Sequence, residues 1–144
     1  MIIEFFLQAL FNKEFINTKG GNKERLASVF LSFDQELGEI VGVWIRCGTQ
    51  DDRAAVDYAN LYSGGINISG KVWGREDDNL GIGYAHLDNG NLNIEYSRVA
   101  EAYVRFALNQ YFAFTMDLQY MKDKIDYKSD PQGFIFGLRM TAKF

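Results

Sequence analysis

Proline and cysteine are nearly missing from this sequence: Pro131 is the single proline and Cys47 the single cysteine in 144 residues. One cysteine excludes an intramolecular disulfide, and Cys47 reads as a small apolar residue. Histidine is as scarce, with His86 alone. No partners for a catalytic triad or a metal cluster stand near it, so neither enzymatic activity nor a cofactor is expected. No apolar run approaches the roughly 18 residues of a membrane-crossing helix. No basic run or stripe exists either; the net charge is −4 and the pI about 5.0, which argues against nucleic-acid binding.

What is present is glycine, 14 residues, and aromatic side chains, 15% of the chain. The sequence is 47% hydrophobic, yet its mean hydropathy is slightly negative, −0.19. That combination suits a β-barrel whose strands are polar on one face. A soluble all-β domain would share the composition, so the pattern along the chain has to discriminate.

The pattern is period two. In GFIFGLRMTAKF, Phe134, Phe136, Leu138, Met140, Ala142 and Phe144 alternate with Ile135, Gly137, Arg139, Thr141 and Lys143. Phe112, Phe114, Met116, Leu118 and Tyr120 alternate with Ala113, Thr115, Asp117 and Gln119. From 100 to 108, Ala100, Ala102, Val104, Phe106 and Leu108 alternate with Glu101, Tyr103, Arg105 and Ala107. Weaker versions occur around 80–85, 62–69, 41–46 and 27–34, and a poorly patterned first segment runs from Ile3 to Ile16. Side chains of a strand alternate between faces, so each segment has one apolar, almost uncharged face and one polar face. Most segments approach the roughly nine to eleven residues that cross a bilayer tilted. Tight connections (37–38, 74–78, 109–110) alternate with longer polar ones (18–24, 49–57, 88–97, 122–132), as in barrels with short turns on one side and loops on the other. The expected fold is all-β: an antiparallel transmembrane β-barrel segment of about eight strands, forming a single domain over 1–144. A lipocalin-like soluble barrel, apolar face inward, is the rival. Parity alone does not tell inside from outside, but faces this rich in Phe, Leu and Met would overfill a small barrel.

In the membrane reading the polar parity lines the lumen. Arg46, Glu101, Tyr103, Arg105, Asp117, Gln119 and Arg139, with Trp44 and Lys143, are then the candidate solute contacts. Arg offers five fixed donors for hydroxyl pairs or carboxylates. The alternative role for the same charges is a structural ion-pair network. Like charges opposite one another are unfavourable, so Asp117 is expected opposite Arg105 or Tyr103 rather than Glu101. Arg75, Asp77 and Asp78 fall in a connection, either as turn chemistry or as a fixed rim contact. His86 reads as an interfacial polar residue. The acidic stretches 88–93 and 122–130 read as solvated loops, with calcium or lipopolysaccharide contact as a lesser option. The small residues of the polar parity, Gly42, Gly65, Gly81, Gly83 and Gly137 among them, suit the wall of a wide pore.

Three stretches resemble the carbohydrate-selective porin (OprB) family: SFDQELGEIVGVWIRCG at 32–48, WGREDDNLGIGYAH at 73–86 and the closing GFIFGLRMTAKF. The second is the most specific, with Gly74, Arg75, Asp77, Asp78, Gly81 and Gly83 in place; it departs where the family commonly has Pro and this chain has Glu76. The resemblance covers most of residues 25–144. It implies passive diffusion of sugars or other small hydrophilic solutes across the bacterial outer membrane, without catalysis. Family barrels resemble porins of roughly sixteen strands, so the chain would correspond to their C-terminal portion. Phe144 resembles the terminal aromatic signal of outer-membrane barrels, which implies recognition by the barrel-assembly machinery through the last strand. Outer-membrane lipid and lipopolysaccharide are the implied surroundings. The N-terminus has no basic n-region and carries Glu4 within its apolar run, so it is not a secretory signal. The chain is therefore expected to be a mature segment, a truncated reading frame or an excised domain, completed by self-association or by an N-terminal half. A complete small eight-stranded barrel with a filled interior, acting as an anchor or adhesion module, is the alternative.

Overall fold

The computed structural model describes residues 3–16, 23–51, 55–127 and 129–143. Phe144, the expected closing signal, lies outside them. Eight strands occupy the described residues: β1 (Ile3–Ile16), β2 (Lys23–Leu37), β3 (Val41–Gln50), β4 (Tyr58–Ser69), β5 (Asn79–Asn89), β6 (Ile94–Ala107), β7 (Phe112–Ile125) and β8 (Gln132–Ala142). They form one antiparallel meander in sequence order. Each strand pairs with its chain neighbour, and no ladder joins β1 to β8 among the described residues. The expected strands are all present, the poorly patterned first one included; a closed barrel is not formed by these residues.

Burial decides the question that parity leaves open. Among the described residues the only buried hydrophobic side chain is Ala113, whereas Ser32, Ser97 and Thr115 of the polar parity are buried. The apolar parity is exposed: Ile45, Tyr62, Ile66, Ile82, Tyr84, Met116, Leu118, Phe136 and Leu138 all face outward. A water-soluble domain is held by an apolar core worth about 25 cal/mol per Å² buried. This sheet has turned its apolar side chains out and its polar ones in.

The β2–β3, β4–β5 and β6–β7 connections share one end of the sheet and are tied to one another. Gly38 adopts φ +75° in the β2–β3 turn. The β4–β5 connection, 70–78, is longer than the expected tight turn because it holds a short 3₁₀ turn, Gly70–Trp73, closed by Gly74 at φ 76°. Ser69 N–H donates to the Ile40 carbonyl at 2.7 Å, and Lys71 Nζ meets Glu39 Oε2 at 2.9 Å. In the β6–β7 turn Asn109 Oδ1 accepts from the N–H groups of Tyr111 and Phe112, both at 2.9 Å.

At the opposite end the expected long loops are shorter than the polar composition suggests. β5 continues to Asn89 and β6 begins at Ile94. The polar residues Asp88, Tyr96 and Ser97 therefore sit in the ladder and not in a loop. Cross-strand partners let charged side chains complete the strands, an option that local composition does not reveal.

Candidate solute-contacting wall

The inward face is built by register. Across β6–β7, Glu101 lies opposite Gln119, Tyr103 opposite Asp117 and Arg105 opposite Thr115; across β7–β8, Thr115 meets Arg139 and Asp117 meets Gly137. The Asp117–Tyr103 pairing is one of the two expected. Glu101, Tyr103, Asp117, Gln119 and Arg139 thereby line a single concavity of about 570 Å³, with Thr115, Gly137 and Leu138. Gln119 Nε2 donates to Asp117 Oδ2 at 3.2 Å. The Asp117 carboxylate lies over Gly137, where any Cβ would collide with it. Carboxylates, an amide, a phenol and a guanidinium in one open groove can exchange hydrogen bonds with solute hydroxyls in either direction.

Arg46, Trp44, Arg105 and Lys143 of the expected set lie outside this concavity. Arg105 Nη1 donates to the Asp77 carbonyl at 2.8 Å, which directs it to the turn end. Arg46 sits on β3 over the Trp44 ring, 4.8 Å from its centroid, a cation–π contact. Its Nε is 3.4 Å from Ser32 Oγ and its Nη2 3.8 Å from Asp34 Oδ1. Asp34 and Trp44 also line a second concavity of about 390 Å³ near the turn end, with Asn67 and Asn79.

Between the two groups lies a glycine floor, and the rings use it. The Trp44 indole spreads over Gly65 and Gly83: an added Cβ would sit 2.7 Å from the ring at Gly65 and 3.2 Å at Gly83. From the other side Tyr103 covers Gly81, and its hydroxyl donates to Asn67 Oδ1 at 2.5 Å on β4. Glycines that read as bare pore wall are thus seats for aromatic side chains lying flat along the sheet. Asn67, Asp34 and Ser32 join this face although they are not among the sequence candidates. They share the inward parity of Arg46 and Trp44 through the β2–β3–β4 register, which the alternation in sequence carries.

The turn block is a third assembly. Asp78, 2% exposed, accepts from Arg75 Nε at 2.5 Å and from the Ala107 N–H at 2.8 Å, while Arg75 Nη2 donates to the Ala107 carbonyl at 2.8 Å. The Arg75 hydrogen bond holds the Asp78 carboxyl below the usual carboxylate range, against the opposing effect of burial. Arg75 and Asp78 therefore rivet the β4–β5 connection to the end of β6, beyond what a self-contained turn would need.

Against known proteins, the sequence profile described as carbohydrate-selective porin, OprB family, matches residues 7–144, nearly the whole chain. The chain belongs to the OprB family of carbohydrate-selective porins. No curated protein and no solved structure matches the chain significantly. The riveted turn contains Gly74, Arg75, Asp77 and Asp78 of the block singled out in the sequence, and β5 presents its Gly81 and Gly83 to the two rings.

Proposed function

We propose that this chain forms part of the wall of a bacterial outer-membrane porin through which carbohydrates and other small hydrophilic solutes diffuse passively. The observation that carries this reading is the inverted sheet: polar side chains and three ring-covered glycines inside, and outside an apolar face whose charged residues His86, Arg98 and Lys122 lie at the end away from the turns. Lipid is the solvent in which such an outer face is stable. Family membership supports the solute class. Inside, Glu101, Asp117, Gln119 and Arg139 exchange hydrogen bonds with sugar hydroxyls, and Trp44 and Tyr103 offer flat faces for sugar C–H groups. Tyr103 and Asp117 are the central contacts, and Arg46 and Arg105 shape the lumen through Trp44 and the turn end. The turn end faces the periplasm, where such barrels keep their connections short.

Unpaired strand edges are not tolerated in lipid, so β1 and β8 meet partner strands in the functional barrel. Further strands, giving roughly sixteen, fit the glycine-rich, concave wall better than eight strands closing on a filled interior. The test is single-channel conductance of the detergent-refolded chain in a planar bilayer, with graded sugar as blocker. Discrete steps that sugar reduces are expected. A folded, heat-modifiable species without conductance would favour the closed eight-stranded anchor instead.

A further inference from the structure

Among the described residues the outward face carries a charged patch at the end of β5–β7 away from the turns. Arg98 and Lys122 lie directly opposite each other across β6–β7, and His86 lies opposite Arg98 across β5–β6. Two cations face to face repel. The carboxylates of the adjoining rungs are engaged elsewhere. Asp88 is bound to His86 at 3.1 Å and to the Asn60 amide at 3.1 Å. Glu95 meets Lys124 at 3.8 Å, and Asp123 accepts from Ser97 on the inward face. Among the described residues no carboxylate is bonded to Arg98 or Lys122. The Arg98 guanidinium stacks on the Tyr96 ring, 4.4 Å from its centroid, and Tyr96 in turn stands 5.8 Å from the His86 ring. Stacking fixes the guanidinium plane and leaves its N–H edge for an acceptor.

The position along the strand names the acceptor. One rung nearer the sheet centre runs Tyr84, Ala100, Tyr120 and Phe134, with the last two rings 5.1 Å apart. An aromatic row of this kind marks the membrane–water interface. Cations on the lipid face are costly at the bilayer midplane and nearly free of cost at the interface. Arg98 and Lys122 therefore stand at head-group depth. We propose that they bind the phosphate of a phosphorylated glycolipid in the leaflet on this side of the membrane. The neighbouring Gln132 and Tyr120, hydrogen-bonded to each other at 3.0 Å, offer polar groups to its sugar. This proposal rests on the outer-membrane reading above.

The experiment is native mass spectrometry of the full chain folded in detergent, titrated with a diphosphorylated glycolipid of the lipid A class, its dephosphorylated form and phosphatidylglycerol. The parent chain is expected to retain the diphosphorylated glycolipid at least tenfold better than either other lipid, and R98Q/K122Q to lose that preference while keeping heat-modifiable mobility. Should the double variant not fold, K122E alone is expected to lose the preference, and raised salt to weaken it in the parent chain. Equal retention of the dephosphorylated form, equal retention of phosphatidylglycerol, or an unchanged preference in the variants would overturn the proposal. Conductance separates it from the porin reading: a phosphate-dependent preference in a chain without conductance leaves this site standing and removes the pore.

Discussion

Gly65 is the residue on which the inner wall turns. Its missing side chain is where the Trp44 indole lies, and a Cβ there would sit 2.5 Å from the Ile82 carbonyl oxygen as well as 2.7 Å from the ring. The backbone oxygen cannot move out of the way without breaking the sheet. Gly65→Ala is therefore expected to destabilise the folded chain by about 1–3 kcal/mol, the usual cost of overpacking, and to shift Trp44 fluorescence as the indole is lifted off its seat. Urea midpoints of detergent-refolded parent and variant measure the first, emission spectra the second. An unaltered spectrum would mean that the ring does not rest on β4.

At the scale of elements, the connections of the turn end act together. Lys71–Glu39 joins the β4–β5 connection to the β2–β3 turn, and Arg75–Asp78–Ala107 joins it to β6. The folded-state pKa of Asp78 is depressed by Arg75. Its contribution to stability is thus full above the ordinary carboxylate range and disappears only as pH falls through the lowered value. Asp78→Asn is expected to lower the urea midpoint at neutral pH and to flatten the acid limb of the stability profile, since the group whose protonation drives that loss is gone. A variant with the parent's acid limb would transfer the effect to other carboxylates. This assembly explains why a block that reads as turn chemistry in sequence contains a buried carboxylate.

For the whole molecule the decisive property is the inversion of the faces. An arginine placed outward at Leu118 is expected to cost about 2–4 kcal/mol if that position lies near the bilayer midplane. At the adjacent Gln119, inside the polar groove, the same substitution should be accepted with little change. Folding yields of the two variants into lipid vesicles make the comparison. Tolerance at Leu118 with failure at Gln119 would reverse inside and outside and remove the membrane reading. The open edges of β1 and β8 belong to this scale too, because no ladder joins them among the described residues.

Period-two alternation is a local property, so the sequence by itself determined the strands and the two sets of side chains on each. It also placed Tyr103 and Asp117 on one face, since parity survives any register that keeps the faces matched. Which face is concave, and where long side chains come to rest, depends on lateral neighbours that are distant in sequence. Only the tertiary structure decided that Arg105 reaches back to Asp77, that Trp44 and Tyr103 lie down on glycines of β4 and β5, and that Arg98 faces Lys122. Each of these follows from the stagger between strands, and two positions of the same parity carry no record of how far they are offset.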